Sequence, residues 1–247
     1  MILFGYEIKK TTPQTIDTQI YKDVYGNNVP ILLKLGGGEP HPMWKSYTNE
    51  YFFKKDEITL PYKDKSVEAI YISDLIEHMP ILAVYNLFKE CLRVLKRYGH
   101  LRVSTLDIML FYYAKMNNDK LVFDHIPNFK DYSVNQLFLN EFATQRSEVC
   151  YMDSLSDEEI DKAFENSNTF DVLDHITTKN IDITQQKITD KINWFNLTKL
   201  HKIFENLGCK SIFYSQYGHS NVPVMRDVKS FDAYLPTKSL YIEVRKS

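Results

Sequence analysis

The run Ser73-Asp74-Leu75-Ile76-Glu77-His78 places one imidazole beside two carboxylates. Imidazole titrates nearest neutrality of the side chains, so His78 is suited to take a proton from a hydroxyl group. The same residues can also serve structure alone, capping the next helix and holding the loop. Upstream, Gly36-Gly37-Gly38 follows the apolar run Ile31-Leu32-Leu33-Lys34-Leu35. Backbone without a β-carbon lets a ligand approach the main chain closely, although three glycines also make an ordinary tight turn. Near the other end, Arg226 offers a planar fork for phosphate or carboxylate, with Asp227 beside it. Such a pair can equally do no more than order a loop.

These residues need elements to hold them. Residues 31 to 35 and Ala69-Ile70-Tyr71-Ile72 read as buried strands, the second preceded by the turn-forming Asp64-Lys65-Ser66. From Pro80 to Lys96, the residues Ile81, Val84, Phe88, Cys91 and Leu95 recur at helical spacing, and Gly99 is placed to terminate that helix. Leu101-Arg102-Val103-Ser104 reads as a further strand, which gives the strand and helix alternation of a parallel α/β sheet. In such sheets ligands sit outside the carboxyl ends of strands. Asp74 and Asp107 fall where two central strands end.

The pattern changes between residues 109 and 190, with long polar loops, the aromatic cluster Phe111-Tyr112-Tyr113 and an acidic stretch at Asp157-Glu158-Glu159. Ser156 with Glu159 is a capping-box pair opening a helix whose Ile160 and Phe164 share a face. We read this segment as an insertion covering the active site. The core pattern returns with a helical stripe of Leu197, Leu200, Phe204 and Leu207 ending at Gly208. Strands are expected over Ser211 to Tyr217 and Ser239 to Val244.

The 247 residues carry Lys+Arg 30 against Asp+Glu 32, a formal net charge of −2, without a long basic run. A surface that neutralises nucleic-acid phosphates has no compositional support, so a small molecule or carbohydrate is the expected partner. Cys91, Cys150 and Cys209 are odd in number and lack a Cys-x-x-Cys pair, which points to reduced thiols rather than a disulfide framework or a zinc site. No long apolar run or basic leader occurs, and a cytoplasmic protein without a membrane span is expected.

Ile31 to Gly38, Leu60 to Met79 and Arg93 to Asp107 together resemble the class I S-adenosylmethionine-dependent methyltransferases, specifically the type 11 branch. Leu60-Pro61-Tyr62 through Asp64-x-Ser66-Val67-Glu68 resembles that family's LPF-x-D-x-S-F-D run. Ser73 to His78 resembles its S-x-x-x-E-H ending, and Arg93-Val94-Leu95-Lys96 its RVLKPGG, with Arg97-Tyr98 in place of Pro-Gly before Gly99. Gly36 and Gly38 match the glycines of its first turn, whereas Glu39-Pro40-His41-Pro42 departs from the pattern.

The resemblance implies a single methyltransferase domain over 1–247, with 109–190 as the lid or acceptor-site insertion. The implied fold is α/β, a Rossmann-like, mostly parallel seven-stranded sheet with an antiparallel last strand. S-adenosylmethionine is the implied cofactor, held by Gly36, Gly37, Gly38, Glu50, Asp56, Glu57, Ser73 and Asp74; no metal is required. Trp44 to Glu50 resembles the segment that supplies the ribose-binding carboxylate, and Asp56 and Glu57 the position that contacts the adenine amino group. His78 would be the base, with His219 and Asp74 as further catalytic candidates.

Tyr217-Gly218-His219-Ser220, Pro223-Val224-Met225-Arg226-Asp227, Phe231-Asp232 and Ser239 to Glu243 resemble the C-terminal half of a bacterial subgroup associated with surface-polysaccharide and lipopolysaccharide synthesis. Asp107, Tyr217, His219, Arg226 and Asp227 then become acceptor-pocket candidates. The implied reaction is O-methylation of a sugar, sugar nucleotide or related precursor. A noncatalytic cofactor-binding partner in a biosynthetic complex is the alternative. A dinucleotide binder is disfavoured, because His41 stands where the third glycine of Gly-x-Gly-x-x-Gly belongs.

Overall fold

The computed structural model describes residues 2–3, 6–7, 30–55, 57–143, 155–165, 169–180 and 183–247. Two short strands, β1 (Ile2–Leu3) and β2 (Tyr6–Glu7), pair antiparallel. The main sheet contains β3 (Ile31–Gly36), β4 (Lys45–Tyr47), β5 (Val67–Ser73), β6 (Leu95–Leu106), β7 (Ser211–Ser215) and β8 (Ser239–Arg245). Their order is β4-β3-β5-β6-β8-β7, parallel from β4 to β6, with β8 antiparallel to both neighbours.

The expected antiparallel last strand is present, but the sheet has six strands among the described residues rather than seven. Just after β4 the chain adds no further strand among the described residues. There Lys54-Lys55-Asp56-Glu57 supplies charge instead of alternating apolar residues, and Lys54 takes φ 54°. The backbone turns at Lys54, and among the described residues β4 is an edge.

Helix α1 (Asn49–Phe52) follows β4, and α2 (Ile81–Val94) follows the turn after β5. The expected helix to Lys96 ends two residues earlier, because Leu95 already pairs with Val67 and begins β6. Gly99 is therefore a strand residue, where a β-carbon would come within 2.9 Å of the Glu68 carbonyl oxygen. Helix α7 (Leu197–Asn206) is N-capped by Asn196, whose side chain accepts from Lys199 N, and is followed by Gly208 at φ +81°.

Alternation along the strands splits the sheet into two faces. Leu33, Leu35, Ile70, Ile72, Leu101 and Val103 face α2 and α7, whose Phe88 and Phe204 stack at 4.6 Å. The other face carries Lys34, Ala69, Tyr71 and Arg102, and its apolar cover comes from Trp44, Met225 and Phe231. No helix lies between β3 and β4, although a parallel crossover ordinarily takes a dozen or more residues. The C-terminal tail lies where such a helix would pack.

Arg102 fastens that tail. Its guanidinium, fully buried, meets Asp232 at 2.5 Å and Glu243 at 2.7 Å, and Asp232 N donates to the Tyr71 hydroxyl at 2.6 Å. At the end of β6, α3 (Ile108–Met116), α4 (Val134–Leu139), α5 (Asp157–Glu165) and α6 (Thr169–Asn180) form a helical layer. Its own apolar core joins the sheet through Leu106, Ile108 and Trp194. The capping box is present: Glu159 N donates to Ser156 Oγ, and Ser156 N to Glu159 Oε2. No helix among the described residues is long and apolar enough to cross a membrane.

Candidate functional site

The carboxyl ends of β3, β5 and β6 lie side by side, with Gly36 registered to Ser73 and Ser73 to Ser104. The glycine turn fits against the end of β5, where Gly37 N donates to the Ser73 carbonyl at 2.8 Å. Gly36 has φ +96°, and a β-carbon there would overlap the Ser73 carbonyl oxygen at 2.2 Å. A β-carbon on Gly37 would reach Asp74 Oδ2 at 2.6 Å, and one on Gly38, at φ +88°, would reach Lys34 Nζ at 3.4 Å. The turn therefore has a carboxylate beside Gly37 and an ammonium group beside Gly38.

Asp74 leaves β5 at φ 49°, a left-handed conformation that Asp tolerates better than most residues. The short 3-10 turn Ile76–His78 follows. His78 Nδ1 lies 2.9 Å from the Asp190 carbonyl, and Nε2 lies 3.5 Å from Asp74 Oδ1. A carbonyl only accepts, so Nδ1 carries a proton and Nε2 is the nitrogen free to take one. Burial disfavours the imidazolium, but the Asp74 hydrogen bond, the charges of Glu77 and Asp74 and the Asp190 carbonyl outweigh it. His78 stands above its ordinary pKa.

Glu77 is almost fully buried. Its Oε2 accepts from Leu75 N and from the Thr105 hydroxyl, both at 3.1 Å, which pins the turn to β6. Burial first, then the charge of Asp74, pushes the Glu77 carboxyl up. The 186–193 segment holds the turn from outside: Gln186 Nε2 donates to the His78 carbonyl at 2.7 Å, and Ile192 N to the Glu77 carbonyl at 2.8 Å. Asp74, Glu77 and His78 each offer a ligand atom within 4.8 Å of the others, so a cation could be held there.

Other residues singled out in the sequence scatter. Glu50 sits in the first turn of α1, three residues beyond β4 and exposed; the Thr48 side chain and its own backbone hold its pKa down. Glu57 is exposed, and Asp56 and Cys150 lie outside the described residues. Asp107 caps α3 by accepting from Met109 N at 3.1 Å, and burial pushes its carboxyl up.

Tyr217, His219 and Arg226 belong to the tail over the face opposite α2. There the Gly218 and Asn221 amides donate to Asp232 and Glu243, the carboxylates that hold Arg102, and Arg226 Nε donates to the Ser220 carbonyl. Asp227 is exposed, bonded to the Ser230 hydroxyl and Lys229 N. The side chains of Tyr217, His219 and Arg226 are exposed, and no described contact joins them to Asp74 or His78.

Sequence reasoning missed Asn49, whose Nδ2 donates to the Asp74 carbonyl at 3.0 Å, and Lys34, treated only as a break in an apolar run. A lone cation two residues before the glycines was the available signal. A cavity of about 210 Å³ opens beside the site, walled by Phe52, Met79, Pro80 and Ala83, with His78 and Gln186 at its polar side.

Residues 42–103 match the family described as Methyltransferase domain. Over that stretch the chain is similar to methyltransferase domains. The match takes in the Leu60 to His78 run and most of β6, but neither the glycine turn nor the tail. No curated protein matches significantly.

Among solved structures, a possible exported protein from Bordetella parapertussis is 11% identical, with 83% of this chain and 44% of that one covered at TM-score 0.33. A Thermotoga maritima SAM-dependent methyltransferase, described as a possible histamine N-methyltransferase, is 14% identical over 83% of this chain and 64% of its own, at 0.33. A SAM-dependent methyltransferase from Archaeoglobus fulgidus is 11% identical over 88% and 86%, at 0.36. The chain spans less than two thirds of the first two. Likenesses at this level decide nothing about the reaction.

Proposed function

We propose that the protein transfers a methyl group from S-adenosylmethionine to a hydroxyl oxygen, with His78 as base. The observation that carries this reading is the convergence of the glycine turn, Asp74 and His78 at the carboxyl edge of the sheet, where open α/β sheets bind ligands. The residues suit the cofactor in two further respects. The main chain from Gly36 to Gly38 carries no β-carbon to bar a ligand's approach, and the buried Asn49 Oδ1 has no hydrogen-bond partner among the described residues. The apolar walls of the 210 Å³ cavity suit a flat purine, and Glu50 stands at the α1 end for the ribose hydroxyls.

When bound, the cofactor would supply an activated methyl group on sulfur for transfer to the acceptor oxygen. The protein's part is alignment and removal of the hydroxyl proton. Nε2 of His78 takes that proton, while the Asp190 carbonyl fixes the ring and Asp74 favours the imidazolium that forms. The sequence of the tail favours a sugar, a sugar nucleotide or a related surface-polysaccharide precursor as acceptor. The helical layer over 109–190 would close the acceptor side.

Calorimetry with S-adenosylhomocysteine and NAD tests the cofactor, and preferential NAD binding would sink the assignment. Incubation with methyl-labelled cofactor and a panel of hydroxylated sugars and sugar nucleotides tests the reaction. Tight S-adenosylhomocysteine binding with no label transferred to any acceptor would favour a noncatalytic cofactor-binding partner instead.

A further inference from the structure

Lys34 is a cation in the middle of a buried parallel strand and is 3% exposed. Alternation along β3 turns it away from α2 and α7, onto the face that the tail covers. Its Nζ donates to the Glu39 carbonyl at 2.5 Å and to the Ser230 carbonyl at 2.9 Å, and lies 5.8 Å from the centre of the Phe231 ring. An ammonium group has three N–H donors. Two have acceptors among the described residues, both neutral carbonyls, and no described carboxylate is within ion-pair distance. Burying a cation costs free energy unless an anion or a full set of acceptors compensates it.

The place of this ammonium is informative. It lies beside Gly38, and the carboxylate of Asp74 lies beside Gly37 in the same turn. Because no helix follows the turn, no helix N-terminus is available to bind a negative group there. A ligand lying over the glycines meets a positive group at one end and a negative group at the other. That polarity matches an α-amino acid zwitterion, carboxylate toward Lys34 and ammonium toward Asp74.

We infer that Lys34 binds the carboxylate of the cofactor's amino-acid end, supplying the positive charge that a following helix would otherwise contribute. This rests on the methyltransferase reading above. The competing role for Lys34 is a clamp that ties the glycine loop to the tail and touches no ligand.

Calorimetry on the full chain separates the two with three probes: S-adenosylhomocysteine, its decarboxylated analogue, which keeps the amine, and 5′-methylthioadenosine, which lacks the amino-acid end. Wild type should prefer S-adenosylhomocysteine over the decarboxylated analogue by about 10- to 100-fold, the range for a hydrogen bond to a charged group. Lys34→Met should abolish that preference, leave 5′-methylthioadenosine affinity unchanged and keep a folded circular-dichroism spectrum; Lys34→Arg should retain part of the preference.

Equal loss of all three ligands in Lys34→Met would overturn the inference in favour of the clamp. If that variant does not fold, wild type alone decides, because equal affinity for S-adenosylhomocysteine and its decarboxylated analogue would mean that no anion site exists. Failure of wild type to bind any of the three would overturn the cofactor reading itself, and this inference with it.

Discussion

At the scale of single residues, His78 is held by a division of labour between its two nitrogens. Nδ1–H donates to the Asp190 carbonyl and Asp74 faces Nε2. His78→Ala should lower turnover by about 10² to 10⁴, the usual share of a positioned base, with S-adenosylhomocysteine affinity nearly unchanged. Full turnover in that variant, with loss in His219→Ala, would move the base to the tail. The raised pKa of His78 fixes the sign of the pH dependence. A base works deprotonated, so turnover should climb as pH rises through a value above the ordinary histidine pKa of about 6.5. In Asp74→Asn, the imidazole titration followed by NMR should move downward, because a neutral amide no longer favours the charged ring. A midpoint that stays in place would show that Asp74 does not set it.

At the scale of elements, the glycine turn gives a graded test. Gly36→Ala puts a β-carbon onto the Ser73 backbone carbonyl, which cannot retreat without breaking the β3–β5 pairing, so this variant should fail to fold or lose much of its thermal stability. At Gly38 the nearest group is the tip of the flexible Lys34 side chain. Gly38→Val should therefore pay mainly for its left-handed backbone, about 1–2 kcal/mol, and remain folded while binding S-adenosylhomocysteine much more weakly. Unchanged affinity in the folded variant would place the cofactor elsewhere. The turn was legible in the sequence because three glycines after an apolar run need only local sterics to explain them. The extent of β6 was not: Gly99 reads as a helix stop, yet strand pairing with β5 draws the chain from Leu95 onward into the sheet.

For the whole molecule, Arg102 joins the sheet to the tail through two fully buried carboxylates. Arg102→Met leaves both unpaired, and removing one partner of a buried ion pair typically costs about 3–5 kcal/mol. Urea unfolding should show that loss, and hydrogen exchange should show it first in residues 216 to 232; an unchanged midpoint would mean that the tail is held by its apolar contacts alone. The sequence by itself determined the glycine turn, the Asp74 to His78 run, the helix after Pro80 and the parallel core, since each is written in neighbouring residues through turn chemistry and periodicity. Only the tertiary structure decided that the sheet has six strands among the described residues, that His219 and Arg226 belong to the segment whose amides bond the carboxylates around Arg102, and that Lys34 lies beside Gly38. Those outcomes depend on which distant segment covers a face: the Lys34 ammonium is bound by a carbonyl 196 residues away, and no local pattern carries that pairing.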